Sequence, residues 1–418
     1  MRRIFVYRRR IVLFLMLLDV LVSLTLTYAF WASTIHGSSD NADAMVSVGD
    51  WGTPIFTTSE FYSFATKANS TSTDRYYLAN DLNFAGYNWT YVSSVIFRGQ
   101  LNGNHKTISN LSITVSGGSY HGIFPRANSA QIRDLTLSNV QMISGFSSSS
   151  QVSGLLVGQV TGGTNTFHNI TVINSGVQGY SANGVGGLIG YVNGSGGIVN
   201  LTNIKTNNLK VYNHTSSAGG LIGRTNNGTT INISDVDILT DVYAQNSSSN
   251  VGGLIGYVIS GAYVNITRAI VQATFRNTLV NNSYYNRYAQ RYLGGLIGYN
   301  ASSSTNQSRV QISHVFFTGS LFTYTNNRRA DVGTVSGRKA SGALASLINT
   351  YHAYVAYRSS SGATIYTPDK TLTGQSGTLI SSSSLPTVAW WNGFATNFYN
   401  SNNLWQQHAT TGRLELKR

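Results

Sequence analysis

The chain has 418 residues, of which 43 are glycine and 4 proline, with no cysteine at all. Disulfides, thiolate metal sites and cysteine nucleophiles are thereby excluded, and 41% hydrophobic against 10% charged residues is too apolar a balance for a disordered chain. A formal net charge of +14 points toward anionic partners, while abundant Gly, Ser, Thr, Asn and Tyr favour short strands and tight turns.

Arg2, Arg3, Arg8, Arg9 and Arg10 precede an apolar run over residues 11–26 that only Asp19 interrupts, and Thr27-Tyr28-Ala29 follows. A basic head, an apolar middle and a small-residue exit predict a secretory signal peptide over residues 1–29, cleaved after Ala29. The alternative is an uncleaved anchor helix, since residues 11–32 can span a bilayer if Asp19 is tolerated. Either way the expected location is extracellular or the cell surface, with membrane contact only through residues 11–32. Without residues 1–29 the chain keeps 23 basic and 13 acidic residues, a net charge near +10. Residues 30–75 read as an N-terminal linker and cap, with one short helix candidate over residues 59–67 and Ser59 as its N-cap.

Residues 185–192 read VGGLIGYV, and residues 251–258 repeat those eight letters. Near-copies stand at 153–158, 218–224 and 293–299. The glycine that opens each Gly-Leu-Ile or Gly-Leu-Leu triplet falls at Gly154, Gly187, Gly220, Gly253 and Gly295, at intervals of 33, 33, 33 and 42; degenerate versions stand at Gly122 and Gly333. After each phrase comes a segment that alternates apolar and polar residues, such as Ile132-Arg133-Asp134-Leu135-Thr136-Leu137, which is the period of a β-strand. Two or three such strands per repeat fit one coil of a parallel β-helix. Propeller blades need about four strands and leucine-rich repeats a fixed Leu spacing, and both signatures are missing. The predicted fold class is all-β: a right-handed parallel β-helix (solenoid) over residues 76–358, its hand set by the crossover rule, with an N-terminal signal or anchor helix and small terminal caps. Leu and Ile of each phrase are predicted core columns, and the glycines permit close backbone approach. The phrase lacks the Lys-Ser/Thr ending and following helix of a phosphate loop.

The iterated GGLIGYV resembles the GLUG motif of bacterial surface proteins. Upstream, Tyr77-Leu78-Ala79-Asn80-Asp81-Leu82-Asn83-Phe84 and the segment Phe97-Arg98-Gly99-Gln100-Leu101-Asn102-Gly103-Asn104-His105-Lys106-Thr107-Ile108 are similar to the entry segment that often precedes such repeats. The likeness spans residues 75–358. It implies an extracellular β-solenoid of the kind found in adhesins and other large exported proteins. The stretch from Thr27 to Trp51 also resembles the start of secreted biofilm-fibre proteins.

Past Arg358 the pattern gives way to a C-terminal segment, residues 359–418, carrying Trp390, Trp391, Phe394, Phe398, Tyr399, Leu404 and Trp405. These aromatics are expected to plug the core, with a sugar-stacking site as the alternative. Uncovered sheet edges at the ends of a β-helix invite end-to-end self-association.

The best carboxylate constellation is Asp235, Asp237 and Asp241, of which the first two share strand parity and face outward. Their column reads Asn110, Asp134, Asn169, Asn203, Asp235, Arg268, His314, a polar ladder capping turn backbone groups that Arg268 and His314 interrupt. That pattern reads as a solvated strand face, and the eight histidines show no metal-ligand spacing. No catalytic residue, metal or cofactor is assigned. The candidate ligand-binding residues lie in the long insertion and the repeat after it: Tyr284, Tyr285, Arg287, Tyr288, Arg291 and Tyr292, preceded by Arg276, then Tyr324, Arg328 and Arg329. Tyr180, Tyr212 and Tyr243 hold similar places earlier. Loops of this composition offer cations, hydrogen bonds and rings to an anionic polysaccharide or a surface protein rather than to a specific nucleic acid; the alternative is a solvated loop whose tyrosines pack on the coil. The expected function is non-enzymatic adhesion or matrix binding, with a polysaccharide lyase or hydrolase and a self-assembling fibre subunit as the alternatives.

Overall fold

An alternating strand has one apolar face to hide and two edges to pair, and each long strand here pairs with its equivalent one repeat later. The computed structural model describes residues 52–67, 70–145, 151–181, 183–244, 249–275, 292–302, 307–322, 331–358, 364–365, 376–381, 386–396, 398 and 404–417. All of these belong to the unit Trp51–Arg418. The signal or anchor segment expected within residues 1–32 lies outside the described residues; among those described, no helix is long and apolar enough to cross a membrane.

Thr164–Ile173, Ile198–Asn213, Thr230–Ala244, Tyr263–Phe275 and Arg309–Phe322 run parallel and neighbour to neighbour in one long sheet. Short strands that end on the first glycine of the phrase, such as Val185–Gly186 and Ala218–Gly219, form a seven-stranded sheet. Strands from the second half of the phrase, such as Ile189–Val192 and Ile222–Thr225, form an eight-stranded sheet. Each turn of chain visits the three sheets in the same order, giving a parallel β-solenoid of about seven turns. The long sheet already begins at Thr53–Ile55, which pairs in parallel with Arg75–Leu78.

The predicted columns line the bore. Leu188, Leu221 and Leu254 are each 0% exposed. The amide of Leu188 donates to the carbonyl of Leu221, that of Leu221 to Leu254, and that of Leu254 to Leu296, each at 2.9 Å. Each such leucine contributes about 1.5–3 kcal/mol by burial. The glycines serve close approach: a Cβ on Gly219 would stand 2.0 Å from the Ile222 oxygen, and one on Gly220 2.0 Å from the Gly253 oxygen. The alignment of phrases shifts by one residue at two places. Gly154 pairs with Gly186 and Gly333 with Gly294, so Leu155 and Thr334 fill the place of the second glycine.

The long strands bend at residues in the left-handed region: Asp134, Asn169, Asn203, Asp235, Arg268 and His314, with φ between 51° and 57°. Asn and Asp tolerate this conformation best, because a short polar side chain can bond locally. Here the bonds run from coil to coil. Asn169 Nδ2 donates to Asp134 Oδ1 at 2.6 Å and Asn203 Nδ2 to Asn169 Oδ1 at 3.0 Å. Arg268 continues the ladder rather than breaking it, with a two-pronged ion pair to Asp235 at 2.7 and 2.6 Å. Asn110 does not belong to this column; it sits in a second ladder at the next bend, donating to Asn83 at 2.9 Å and accepting from Asn139 at 2.7 Å.

At the N-terminal end helix α1 (Thr58–Ala65) lays Phe61 and Phe64 against Phe84, Trp89, Phe97 and Phe124. Its N-cap is Thr57 rather than Ser59, because only Thr57 has a glutamate three residues on: Glu60 returns a bond to the Thr57 amide at 3.0 Å and completes a capping box. At the other end the aromatics do not plug the bore. Trp391 and Phe394 of helix α2 (Val388–Ala395), with Phe398 and Trp405, form a separate core on the outer face of the long sheet, against Ile270, Phe316 and Ala353. Tyr399 lies outside the described residues.

The hairpin of Trp405–Gln407 and Leu414–Leu416 then covers the acidic pair. Trp405 Nε1 donates to Asp235 Oδ1 at 2.9 Å, Arg413 pairs with Asp237 at 2.8 Å, and Lys205 donates to the Leu416 carbonyl at 2.7 Å. Asp235 and Asp237 face outward from the coil as their parity requires, yet they are 6% and 4% exposed: the solvated face expected from sequence is instead a buried docking surface.

Leu221→Ala is expected to cost about 2–5 kcal/mol through the cavity it leaves. Gly220→Ala adds a methyl yet should also destabilise, because backbone rather than a side chain blocks it. Denaturant titration checks both, and a Gly220→Ala protein as stable as its parent would contradict the close-approach account. Arg413→Ala strands a buried carboxylate, a loss of about 3–5 kcal/mol that peeling the hairpin relieves. Hydrogen exchange should then lose protection over residues 404–417 while that of Ile198–Asn213 persists.

Candidate functional site

The residue six places after the first letter of each phrase is outside the predicted core columns, and its place in the fold is distinctive. In the eight-stranded sheet, Arg126, Gln159, Tyr191, Arg224, Tyr257, Tyr299 and Arg338 stand one above another in register. None of them belongs to the core that Ile189, Ile222, Ile255 and Ile297 of the same strands enter. Gln159 and Tyr191 are covered, Arg126, Arg224, Tyr257 and Tyr299 are half-buried, and Arg338 is exposed.

Charge and rings interlock along the column. The Arg224 guanidinium lies 5.5 Å from the Tyr191 ring centre and 5.2 Å from that of Tyr257. Contacts of this kind contribute about 0.5–2 kcal/mol each, more where water is excluded. The Tyr257 and Tyr299 rings are stacked 5.3 Å apart and within 3° of parallel. Arg126 lies 5.1 Å from the Tyr120 ring and donates to the Ser94 carbonyl at 2.5 Å. Arg224 also donates to Asn183 at 3.3 Å, and the Nε groups of Arg126 and Arg224 have no hydrogen-bond partner. Burial raises the Tyr191 and Tyr257 hydroxyls above their ordinary pKa, against the pull of Arg224, so both remain protonated donors at neutral pH.

No strand of this sheet contains an aspartate or glutamate. The ion pairs Lys67–Asp74, Arg133–Asp134, Arg268–Asp235 and Arg413–Asp237 lie on other elements. The column itself consists of three arginines, three phenols and one amide.

Tyr284, Tyr285, Arg287, Tyr288, Arg291, Tyr324, Arg328 and Arg329, with Arg276, lie outside the described residues. Tyr292 is not a loop residue: it opens the strand Tyr292–Gly294, is 5% exposed, and packs its ring 4.7 Å from Tyr299. Its hydroxyl accepts from Arg338 at 2.6 Å. The reason is register, since Tyr292 pairs with Asn250 on one side and Asp331 on the other in the seven-stranded sheet. Tyr292 and Asp331 are also the first described residues after 276–291 and 323–330.

Tyr180, Tyr212 and Tyr243 do come together, on a different edge. The Tyr180 ring stacks on His214 at 3.7 Å, Tyr212 Oη lies 3.3 Å from His214 Nδ1, and Tyr212 and Tyr243 are in register with ring centres 6.0 Å apart. Burial, with Tyr180 nearby, pushes the Tyr212 hydroxyl up to about 12. Asp241 stands apart from Asp235 and Asp237, in register with Lys210. Burial raises the Asp237 carboxyl above the ordinary range, against Arg413 and Lys205. Among the described residues no group of three His, Asp or Glu side chains could hold a metal ion.

Sequence reasoning passed over Tyr191, Arg224, Tyr257 and Tyr299 because it read the whole phrase as packing. The available signal was that one letter of an otherwise fixed phrase alternates between Tyr and Arg, as a surface position does.

No family model matches the chain, and neither does any curated protein sequence. Among solved structures, the crystal structure of a putative immunoglobulin A1 protease from Bacteroides ovatus is similar, with a TM-score of 0.52 and 16% sequence identity over 88% of this chain and 93% of that one. At that identity the likeness is one of fold.

Proposed function

We propose that this is an exported β-solenoid of the cell surface or extracellular matrix that binds an anionic glycan without turning it over. The observation that carries the reading is the column from Arg126 to Arg338, where the half-buried Arg126, Arg224, Tyr257 and Tyr299 and the exposed Arg338 stand in a sheet whose strands contain no carboxylate. Such a face supplies charge-assisted hydrogen bonds to carboxylate or sulfate groups and neutral ones to sugar hydroxyls. The net charge of +14, the basic and apolar head of the chain, and the resemblance of GGLIGYV to the GLUG motif of surface proteins agree with it. The Arg/Tyr-rich composition of residues 276–291 and 323–330 is of the same chemical kind.

A carbohydrate-active enzyme needs convergent carboxylates that reach substrate. The best pair, Asp235 and Asp237, is committed to Arg268, Arg413 and Trp405 beneath the C-terminal hairpin and lends that alternative no support. The name of the Bacteroides ovatus protein raises proteolysis as a further reading, and it rests on likeness of fold alone.

Immobilised polygalacturonate should retain the protein at low salt and release it as ionic strength rises. Arg224→Gln should weaken retention about tenfold, the scale of one charged hydrogen bond. Charge reversal at Arg287, Arg291, Arg328 and Arg329 measures the share of the two segments. Retention unchanged by the triple change Arg126→Gln, Arg224→Gln, Arg338→Gln, or release of unsaturated or reducing ends from the polymer, would overturn the proposal.

A further inference from the structure

Before its left-handed bend, the long sheet carries a second recurring phrase: Asn200-Leu201-Thr202, Asn232-Ile233-Ser234, Asn265-Ile266-Thr267 and Gln311-Ile312-Ser313. The middle residue enters the core, and parallel pairing stacks the outer two letters in register from coil to coil. Asn232 Nδ2 donates to Asn200 Oδ1 at 2.9 Å, and Asn265 Nδ2 to Asn232 Oδ1 at 2.8 Å. Beside this amide ladder Ser234 donates to Thr202 at 3.3 Å and Ser313 to Thr267 at 3.0 Å. These bonds hold the side chains in one orientation. Asn232 gives one N–H and one lone pair to the ladder and keeps one of each for a ligand.

The result is an open, regular grid, its polar groups recurring about every 4.8 Å across the strands and about every 6.6 Å along them. Asn265 and Gln311 are exposed, and Asn200, Asn232 and the four hydroxyl residues are half-buried. Apolar side chains gather on the same face. Of the five large hydrophobic residues exposed among those described, Tyr263, Leu344 and Ile348 stand here, in the columns on either side of the amides. Exposed apolar groups clustered within a polar surface mark a binding face. The segments 198–202, 230–234, 263–267, 309–313 and 344–348 contain one charged residue, Arg309, whose guanidinium lies 5.3 Å from the Tyr263 ring centre. The C-terminal hairpin docks at and past the bend, on Asp235, Asp237 and Lys205.

We infer that this face is a second binding surface, separate from the Arg/Tyr column, for an uncharged, extended β-linked polysaccharide of the cellulose or chitin kind. The sugar rings of such a ribbon offer C–H faces to Tyr263, Leu344 and Ile348 and hydroxyl edges to the amide and hydroxyl ladders. The step between coils is close to the advance of the ribbon per sugar, so a chain lying along the ladders meets the same groups coil after coil. Charge selects the neutral polymer. An anionic chain would shed water from its charges against groups that do not neutralise them, a cost that a neutral chain avoids.

Sedimentation of the intact protein with microcrystalline cellulose and with chitin tests this. At least one of the solids should retain it saturably. Retention should persist in about 1 M salt, where the Debye length is about 3 Å and polygalacturonate should let the protein go. The triple change Arg126→Gln, Arg224→Gln, Arg338→Gln should leave this retention as it is. Tyr263→Ala should weaken it about tenfold, the scale of one lost aromatic contact, and should unfold at the temperature of its parent because the ring is exposed. Asn232→Leu keeps the side chain's shape, removes its donor and acceptor, and should weaken retention similarly. Retention by neither solid, retention lost in salt, or retention unchanged when Tyr263→Ala and Asn232→Leu are combined would overturn this surface and leave the anionic-glycan reading to its own test.

Discussion

Everything in this molecule follows from strands paired in parallel, coil upon coil, at a spacing of about 4.8 Å. That pairing places each residue directly over its equivalent, so a choice made once in the repeat is made again along the whole axis. A leucine becomes a column, an asparagine a ladder, and a tyrosine or arginine a row. The pairing is strict because a slip of one residue would turn the apolar face outward, and it holds for long stretches, as between Ile198–Asn213 and Thr230–Ala244.

The same geometry amplifies weak interactions. An asparagine in the left-handed region is a modest local preference, but repeated at Asn169 and Asn203 it becomes a run of side-chain bonds that fixes the bend of the long sheet. Where an unfavourable residue enters that column, as Arg268 does, its two bonds to Asp235 offset the roughly 1–2 kcal/mol that a left-handed conformation costs a larger side chain. In the eight-stranded sheet the same logic stacks cations and phenols in one row, where Arg224 lies against the rings of both Tyr191 and Tyr257.

The parts legible in sequence are those with a local signature. Apolar alternation marked the strands and Leu188, Leu221 and Leu254 the core, because period and burial are properties of a short window. The place of Asn110 was not legible: its spacing to Asp134 resembles a short repeat, and only pairing assigns it to the second bend with Asn83 and Asn139. The N-cap was misplaced by two residues because Thr57 and Ser59 are both good caps, and the reciprocal bond of Glu60 decides between them. The partners of Asp235 and Asp237 come from Trp405 and Arg413, some 170 residues away, and no local pattern announces contacts at that range. The candidate site was half legible. The Arg/Tyr composition stood out in the insertions, whereas the ordered row at Tyr191, Arg224, Tyr257 and Tyr299 was hidden inside a phrase whose other letters serve packing.

The C-terminal segment adds something that stacking alone cannot. A spool of repeats held by nearest-neighbour contacts can unwind from its last coil, one turn after another. Here the chain leaves the final coil and folds back along the flank, touching Ala353, Phe316, Ile270, Asp237, Asp235 and Lys205 on five successive strands of the long sheet. It is a stitch sewn across the windings: the outermost turns cannot lift away under tension until the thread that ends at their own terminus has been pulled off the turns beneath.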